Sequence, residues 1–145
     1  MVMGAATQPE PNVQQAVPFF WVRDIPRSIH FYVEGLGFTM TKQWIDEGTL
    51  RWCWLQLGDA AVMLQEFSNE DPPKPLDGNV GMGVSICFIC QDAVALWREF
   101  LSRGLSPTRP FVGNAMWVTQ ISDPDGYVLV FESPTDAPEE TVLPG

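Results

Sequence analysis

Two glutamates occupy matching places in a stretch that this sequence uses twice. Setting Gly58–Ser68 (GDAAVMLQEFS) against Pro124–Pro134 (PDGYVLVFESP) pairs Asp59 with Asp125, Val62 with Val128, Leu64 with Val130 and Glu66 with Glu132. Paired carboxylates at equivalent strand positions have four uses. They can hold a hard cation with water, or work as an acid and a base if their surroundings separate their pKa values. They can also contact a cationic ligand, or simply lie solvated at the strand ends. A chain that repeats its own supersecondary unit is expected to build its site between the copies, so residues facing the inter-repeat space are the candidates.

Other reactive side chains are few. His30 is the single histidine, set beside Phe31 and Tyr32 in a helical pattern, and is expected on exposed helix surface. Cys87 and Cys90 match the C-x-x-C spacing, but on a strand positions three apart point to opposite faces. They are therefore expected in the core, with Cys87 sharing the face of Ser85. Six tryptophans and nine phenylalanines are the stronger signal. Matching Leu50–Leu57 to Met116–Asp123 makes Trp52 and Trp54 the counterparts of Val118 and Gln120.

Composition narrows the function classes. The chain has 145 residues, enough for one compact domain or two half-domains sharing a core. A net charge of −10, with only eight Lys and Arg, argues against nucleic acid, whose binding depends on neutralising phosphates. No apolar run approaches the length of a membrane span. The first fifteen residues lack a basic start and an apolar core. Three cysteines in apolar runs fit a reducing compartment. The expectation is a cytoplasmic protein with no membrane and no nucleic-acid partner.

The pattern along the chain restarts halfway. Val17–Val22 reads as a buried strand, Asp24 as a helix cap with Pro26 in the first turn, and Ile25, Ile29, Tyr32, Val33 and Leu36 as one helical face. Gly35 or Gly37 ends that helix. Phe38–Trp44, Leu50–Leu57 and Ala61–Phe67 follow as strands about the turns Asp46-Glu47-Gly48 and Gly58-Asp59. Residues 68–82 have the Pro, Gly and charge of a linker. Val84–Cys90 then reads as a strand, Asp92 as a cap, residues 93–101 as a helix closed by Gly104, and Pro107–Val112, Ala115–Ile121 and Tyr127–Glu132 as strands. The expected fold is α+β: two tandem β-α-β-β-β modules, residues 16–67 and 83–133, forming a curved mixed sheet around a cleft. Residues 1–15 form a flexible leader and 134–145 a flexible acidic tail.

The stretches Val22–Tyr32 (VRDIPRSIHFY), Gly35-Leu36-Gly37-Phe38 and Asp123-Pro124-Asp125-Gly126-Tyr127 resemble the vicinal oxygen chelate superfamily. It includes glyoxalase I, bleomycin-resistance proteins and extradiol dioxygenases. The resemblance spans residues 16–134 and is nearest to the metal-lacking bleomycin-resistance branch. It implies that each module curls into a half-barrel and that two modules form a U-shaped cleft, in small members often completed by a homodimer. Metal enzymes of the superfamily hold a divalent ion on the first and last strands of each module. Those positions fall here at Val17, Leu64, Ser85 and Val130, none with a suitable donor, though a one-residue slip at Leu64 would bring in Gln65.

Counting alternately from Val17 puts Phe19 and Trp21 on the cleft face, and analogy with the family adds Trp52, Trp54 and Met116. The expected ligand-binding set is Phe19, Trp21, Trp52, Trp54, Leu64, Glu66, Ser85, Cys87, Met116, Val118, Gln120, Val130 and Glu132. Catalytic residues, metal ligands and cofactors are expected to be none. The sequence thus reads as a binding protein, a homodimer that sequesters a small, partly aromatic and cationic molecule. The alternative is a glyoxalase-like lyase, isomerase or dioxygenase with a displaced metal at Glu66 and Glu132.

Overall fold

The computed structural model describes residues 11–66, 78 and 80–145. Asp24, in extended conformation, accepts a hydrogen bond from the Arg27 amide, and Pro26 sits in the first turn. These two residues start α1 (Ile25–Ile29), which runs on as a wider π-helical stretch, His30–Leu36, and stops at Gly37 in the left-handed region, φ 96°. Asp92 does the same for α2 (Ala93–Ser102), accepting from the Ala95 amide.

Around these helices lie β1 (Phe19–Val22), β2 (Thr39–Asp46), β3 (Thr49–Leu57) and β4 (Ala60–Glu66) in the first module. The second module has β5 (Ser85–Ile89), β6 (Phe111–Gly113), β7 (Met116–Ser122) and β8 (Val128–Pro134). The order β-α-β-β-β therefore occurs twice. Among the described residues each module makes one four-stranded mixed sheet, ordered β1-β4-β3-β2 and β5-β8-β7-β6. In each, the first strand pairs parallel to the last and the other pairs are antiparallel. In each module the helix carries the chain from the first strand to the second, at the opposite edge of the sheet.

One apolar core serves both modules. Phe20, Val22, Leu55, Val62 and Leu64 from the first sheet meet Phe88, Leu129, Phe131 and Ile121 from the second, with Tyr32 and Leu36 of the first helical segment and Phe100 of α2 between them. Ring pairs cross the seam: Phe20 stacks on Tyr127 at 4.0 Å, and Phe38 meets Phe88 edge-on at 6.1 Å. The helix-bearing faces thus pack against each other. Within one chain the space between the repeats is core, and the opposite faces of the two sheets look outward.

Two expectations change. The strand expected over Pro107–Val112 is only Phe111–Gly113, because Pro107 and Pro110 cannot donate to a ladder. The tail is not free: Val112 and Thr141, Glu140 and Val112, and Leu143 and Pro110 are joined by backbone hydrogen bonds of 2.9 Å. Phe67 and most of the expected linker lie outside the described residues.

Candidate functional site

Strand alternation gives each sheet two faces, and register shows which residues share one. On the outward face of the first sheet a transverse row runs Trp21, Gln65, Trp52, Trp44. The next row runs Phe19, Met63, Trp54, Lys42. The ammonium of Lys42 lies 4.6 Å from the centre of the Trp54 ring, and the indole N–H of Trp54 donates to Gln56 Oε1 at 2.8 Å. Gln65, between Trp21 and Trp52, is covered to 8% exposure, whereas Trp21 is 40% and Trp44 52% exposed.

The outward face of the second sheet is less aromatic and carries the acid. Its matching row is Ile89, Glu132, Val118, Phe111, followed by Cys87, Val130, Gln120 and then Ser85, Val128, Ser122. Met116 pairs with Gly113 and Pro134 at the rim. Cys87 Sγ donates to Glu132 Oε1 at 3.0 Å. Desolvation first, and the Glu132 carboxylate second, push the Cys87 thiol up to about 12, so it stays protonated.

Eleven of the thirteen expected site residues therefore sit on the two outward faces. Leu64 and Glu66 do not. Leu64 has no exposure and lies in the core. Glu66 shares that inward face and accepts from the Ile25 amide at 3.0 Å, capping α1. Ser133 does the same job in the second module, accepting from the Ala93 amide at 2.8 Å. The true internal match thus pairs Glu66 with Ser133, Gln65 with Glu132 and Met63 with Val130.

The sequence alignment was one residue out because the two turns differ in length, and a one-residue slip reverses every face. Glu66 and Glu132 consequently form no carboxylate pair, and a displaced metal or an acid–base couple built on them has no geometric basis. Of the four metal positions that the resemblance implies, Leu64 is displaced by the same one-residue slip, and the corrected set is Val17, Met63, Ser85 and Val130. Two valines, a thioether and a hydroxyl do not fit a divalent site. Among the described residues no three His, Cys, Asp or Glu side chains converge on one point.

The sequence reading left out Gln65, Met63, Trp44, Lys42, Ile89 and Phe111 of these faces. The signal for Gln65 was present, since the slip at Leu64 leads to it. A cavity of about 540 Å³ bounded by Val17, Asp59, Ala61 and Cys87 adjoins the faces where β1 and β5 begin. His30 is exposed and pairs with Glu34 at 3.5 Å.

The Asp-Pro-Asp-Gly-Tyr stretch is a clasp between the modules. Asp123 Oδ1 accepts from the amides of Asp125 and Tyr127, and its Oδ2 accepts from the Tyr32 hydroxyl at 2.8 Å. Asp125 accepts from the Arg23 amide and from Ser28 Oγ, and Arg27 donates to the Pro124 carbonyl at 2.7 Å. Tyr127 donates to the Trp21 carbonyl at 3.0 Å. Gly81 lies so close that a Cβ there would be 2.4 Å from the Tyr127 nitrogen. Burial raises the Asp123 carboxyl above its ordinary value, against the three hydrogen bonds that lower it. The motif orients β1 through Tyr127 and Arg23, and so sets where Trp21 stands.

Two β-α-β-β-β modules packed through their helix-bearing faces define the fold class. The chain belongs to the Glyoxalase/Bleomycin resistance protein/Dioxygenase superfamily, whose model matches residues 14–131. Among curated proteins none matches it by sequence. Solved structures share the fold. The bleomycin resistance determinant encoded on transposon Tn5 is 22% identical, with a TM-score of 0.66 over 86% of this chain and 100% of that one. A bleomycin-binding protein complexed with bleomycin is 22% identical, with a TM-score of 0.63 over 83% and 98%. TnmS3, an antibiotic binding protein from Streptomyces sp. CB03234, is 21% identical, with a TM-score of 0.63 over 87% and 100%.

Proposed function

We propose that this protein binds and sequesters a small, planar, cationic molecule, without a metal and without a chemical step. The row Trp21, Gln65, Trp52, Trp44 carries the reading. Alternate strands of a sheet are about 9.5 Å apart. Gln65 lies covered between two of these indoles, and the exposed rings of Trp21 and Trp44 in the same row offer faces on which a flat ring can stack. Indole faces attract cations by about 0.5–2 kcal/mol each, and the chain's own Lys42 on Trp54 illustrates that preference. Glu132 supplies the counter-charge from the second sheet, and the net charge of −10 adds a long-range field.

The tryptophan row is half a site. The outward faces expose Phe19, Trp21, Trp44, Ile89 and Phe111, all at least 40% accessible, and large apolar surface of this kind marks an interaction site. Among the described residues β1 and β5 are edge strands of their sheets. We assign the cover to a second copy of the chain, whose second sheet would face the first sheet of its partner and place Glu132 opposite the tryptophan wall. A bleomycin-binding protein and an antibiotic binding protein that share the fold support this reading.

Titration of tryptophan fluorescence with bleomycin, with the planar cation proflavine and with neutral anthracene-type analogues tests it. Saturable quenching by the cations, weakened by Glu132→Gln and by Trp52→Ala, is expected. Equal response to neutral and cationic rings would remove the charge argument, and no saturable response to any of them would remove the binding reading.

A further inference from the structure

We propose that residues 134–145 form a strap that sets the position of the cleft wall on the second sheet, with Glu139 as its latch. β6 is the outermost strand of that sheet and has only three residues. So short a strand holds its place weakly by itself. The strap runs along its free edge. Thr141 and Val112, Glu140 and Val112, and Leu143 and Pro110 are joined by backbone hydrogen bonds of 2.9 Å, and Val142 bridges Phe111. Phe111 and Met116, the cleft-facing residues on either side of the β6–β7 turn, are thereby attached to the strap.

The latch acts on the turn itself. Asn114 and Ala115 both adopt left-handed backbone, φ 51° and 62°. For alanine this is a costly conformation. The Glu139 carboxylate accepts from both of their amides, Oε1 from Asn114 at 2.7 Å and Oε2 from Ala115 at 2.9 Å. One side chain thus satisfies two amides of a strained hairpin with charge-assisted bonds. The Thr135 amide donates to the Ala115 carbonyl at 3.0 Å, closing the other side. Arg109 secures the far end: it donates to the Leu143 carbonyl at 3.2 Å while its guanidinium lies 5.2 Å from the centre of the Trp97 ring of α2. The family match covers residues 14–131 and stops short of the strap.

A ligand that reaches the rim of the cleft would meet the side chains the strap holds. A small ring confined to the tryptophan row would not. The strap is therefore a specificity element, and that consequence rests on the binding reading above.

The test compares the full chain with Glu139→Gln and with a chain ending at Ala137. The methyl NMR signal of Met116 reports the second-sheet wall, and that of Met63 is the control on the first sheet. Both variants are expected to shift or broaden Met116 while leaving Met63 in place. Exchange of the Asn114 and Ala115 amides should accelerate by about tenfold in Glu139→Gln. Affinity for bulky bleomycin should fall severalfold, with affinity for proflavine and the melting temperature nearly unchanged.

An unmoved Met116 signal in both variants overturns the strap. So does a loss of affinity shared equally by both probes. If neither probe binds the unaltered chain, the binding reading fails by itself, and the Met116 signal still decides whether the strap positions the wall.

Discussion

Lys42 rests on one face of Trp54 and so competes with any cation brought by a ligand. Replacing it with methionine keeps the chain length and removes the charge. Lys42→Met is expected to strengthen binding of a planar cation by about two- to fivefold, the size of one cation–aromatic contact, as read by fluorescence titration. Cys87 gives a second residue-scale outcome. With its thiol held near 12 by desolvation and by Glu132, it should react with iodoacetamide at pH 8 far more slowly than free cysteine. Glu132→Gln should speed that reaction. A rate in the unaltered chain equal to that of free cysteine would mean that the Sγ–carboxylate bond does not persist in solution. At this scale the sequence was informative where alternation decides the face, as for Phe19 and Trp21, while Trp52 and Trp54 needed the analogy with the family as well. It misled for Glu66, because resemblance to Glu132 in type outweighed a one-residue difference in turn length.

The helical caps decide what Glu66 does. Its carboxylate serves the Ile25 amide, so Glu66→Ala is expected to lower stability by about 1 kcal/mol and leave ligand affinity unchanged. A Glu66→Ala protein of unaltered stability and weakened binding would return this residue to the cleft.

The clasp between modules has a pH signature. Burial first, then the neighbouring Asp123 carboxylate, raises the Tyr32 hydroxyl well above its ordinary value of 10.0, and burial raises Tyr127 as well. Above pH 10 the unfolded chain releases these protons while the folded chain keeps them. Stability is therefore full below that pH and falls as pH rises beyond it. Thermal melts between pH 8 and 11 should show the decline, and Tyr32→Phe should flatten it while costing about 1–3 kcal/mol at neutral pH through the unpaired Asp123. The β-α-β-β-β order, the aspartate caps and the glycine stop were readable locally, since each rests on neighbours in sequence. The docking of residues 134–145 on β6 was not, because an acidic, proline-rich composition says nothing about which edge is left open for it.

At the scale of the whole molecule, the sequence shows that there are two modules but not how they meet. Helix-side apolar residues such as Phe20 and Phe88 look alike whether each packs in its own module or across the seam. The structure settles this with the Phe20–Tyr127 stack and the Asp123–Tyr32 bond. The consequence is two outward sheet faces per chain, tryptophan on one and Glu132 on the other, which is why the proposed site needs two copies. Subunit mixing tests this most directly. Trp52→Ala and Glu132→Gln each damage one wall, so either protein alone has no intact cleft. If each cleft joins the first sheet of one chain to the second sheet of its partner, random exchange should leave about one cleft in four intact, and tight proflavine binding should reappear on mixing. Binding that stays as weak in the mixture as in either variant, with exchange confirmed by mass spectrometry, would contradict a cleft shared between two chains.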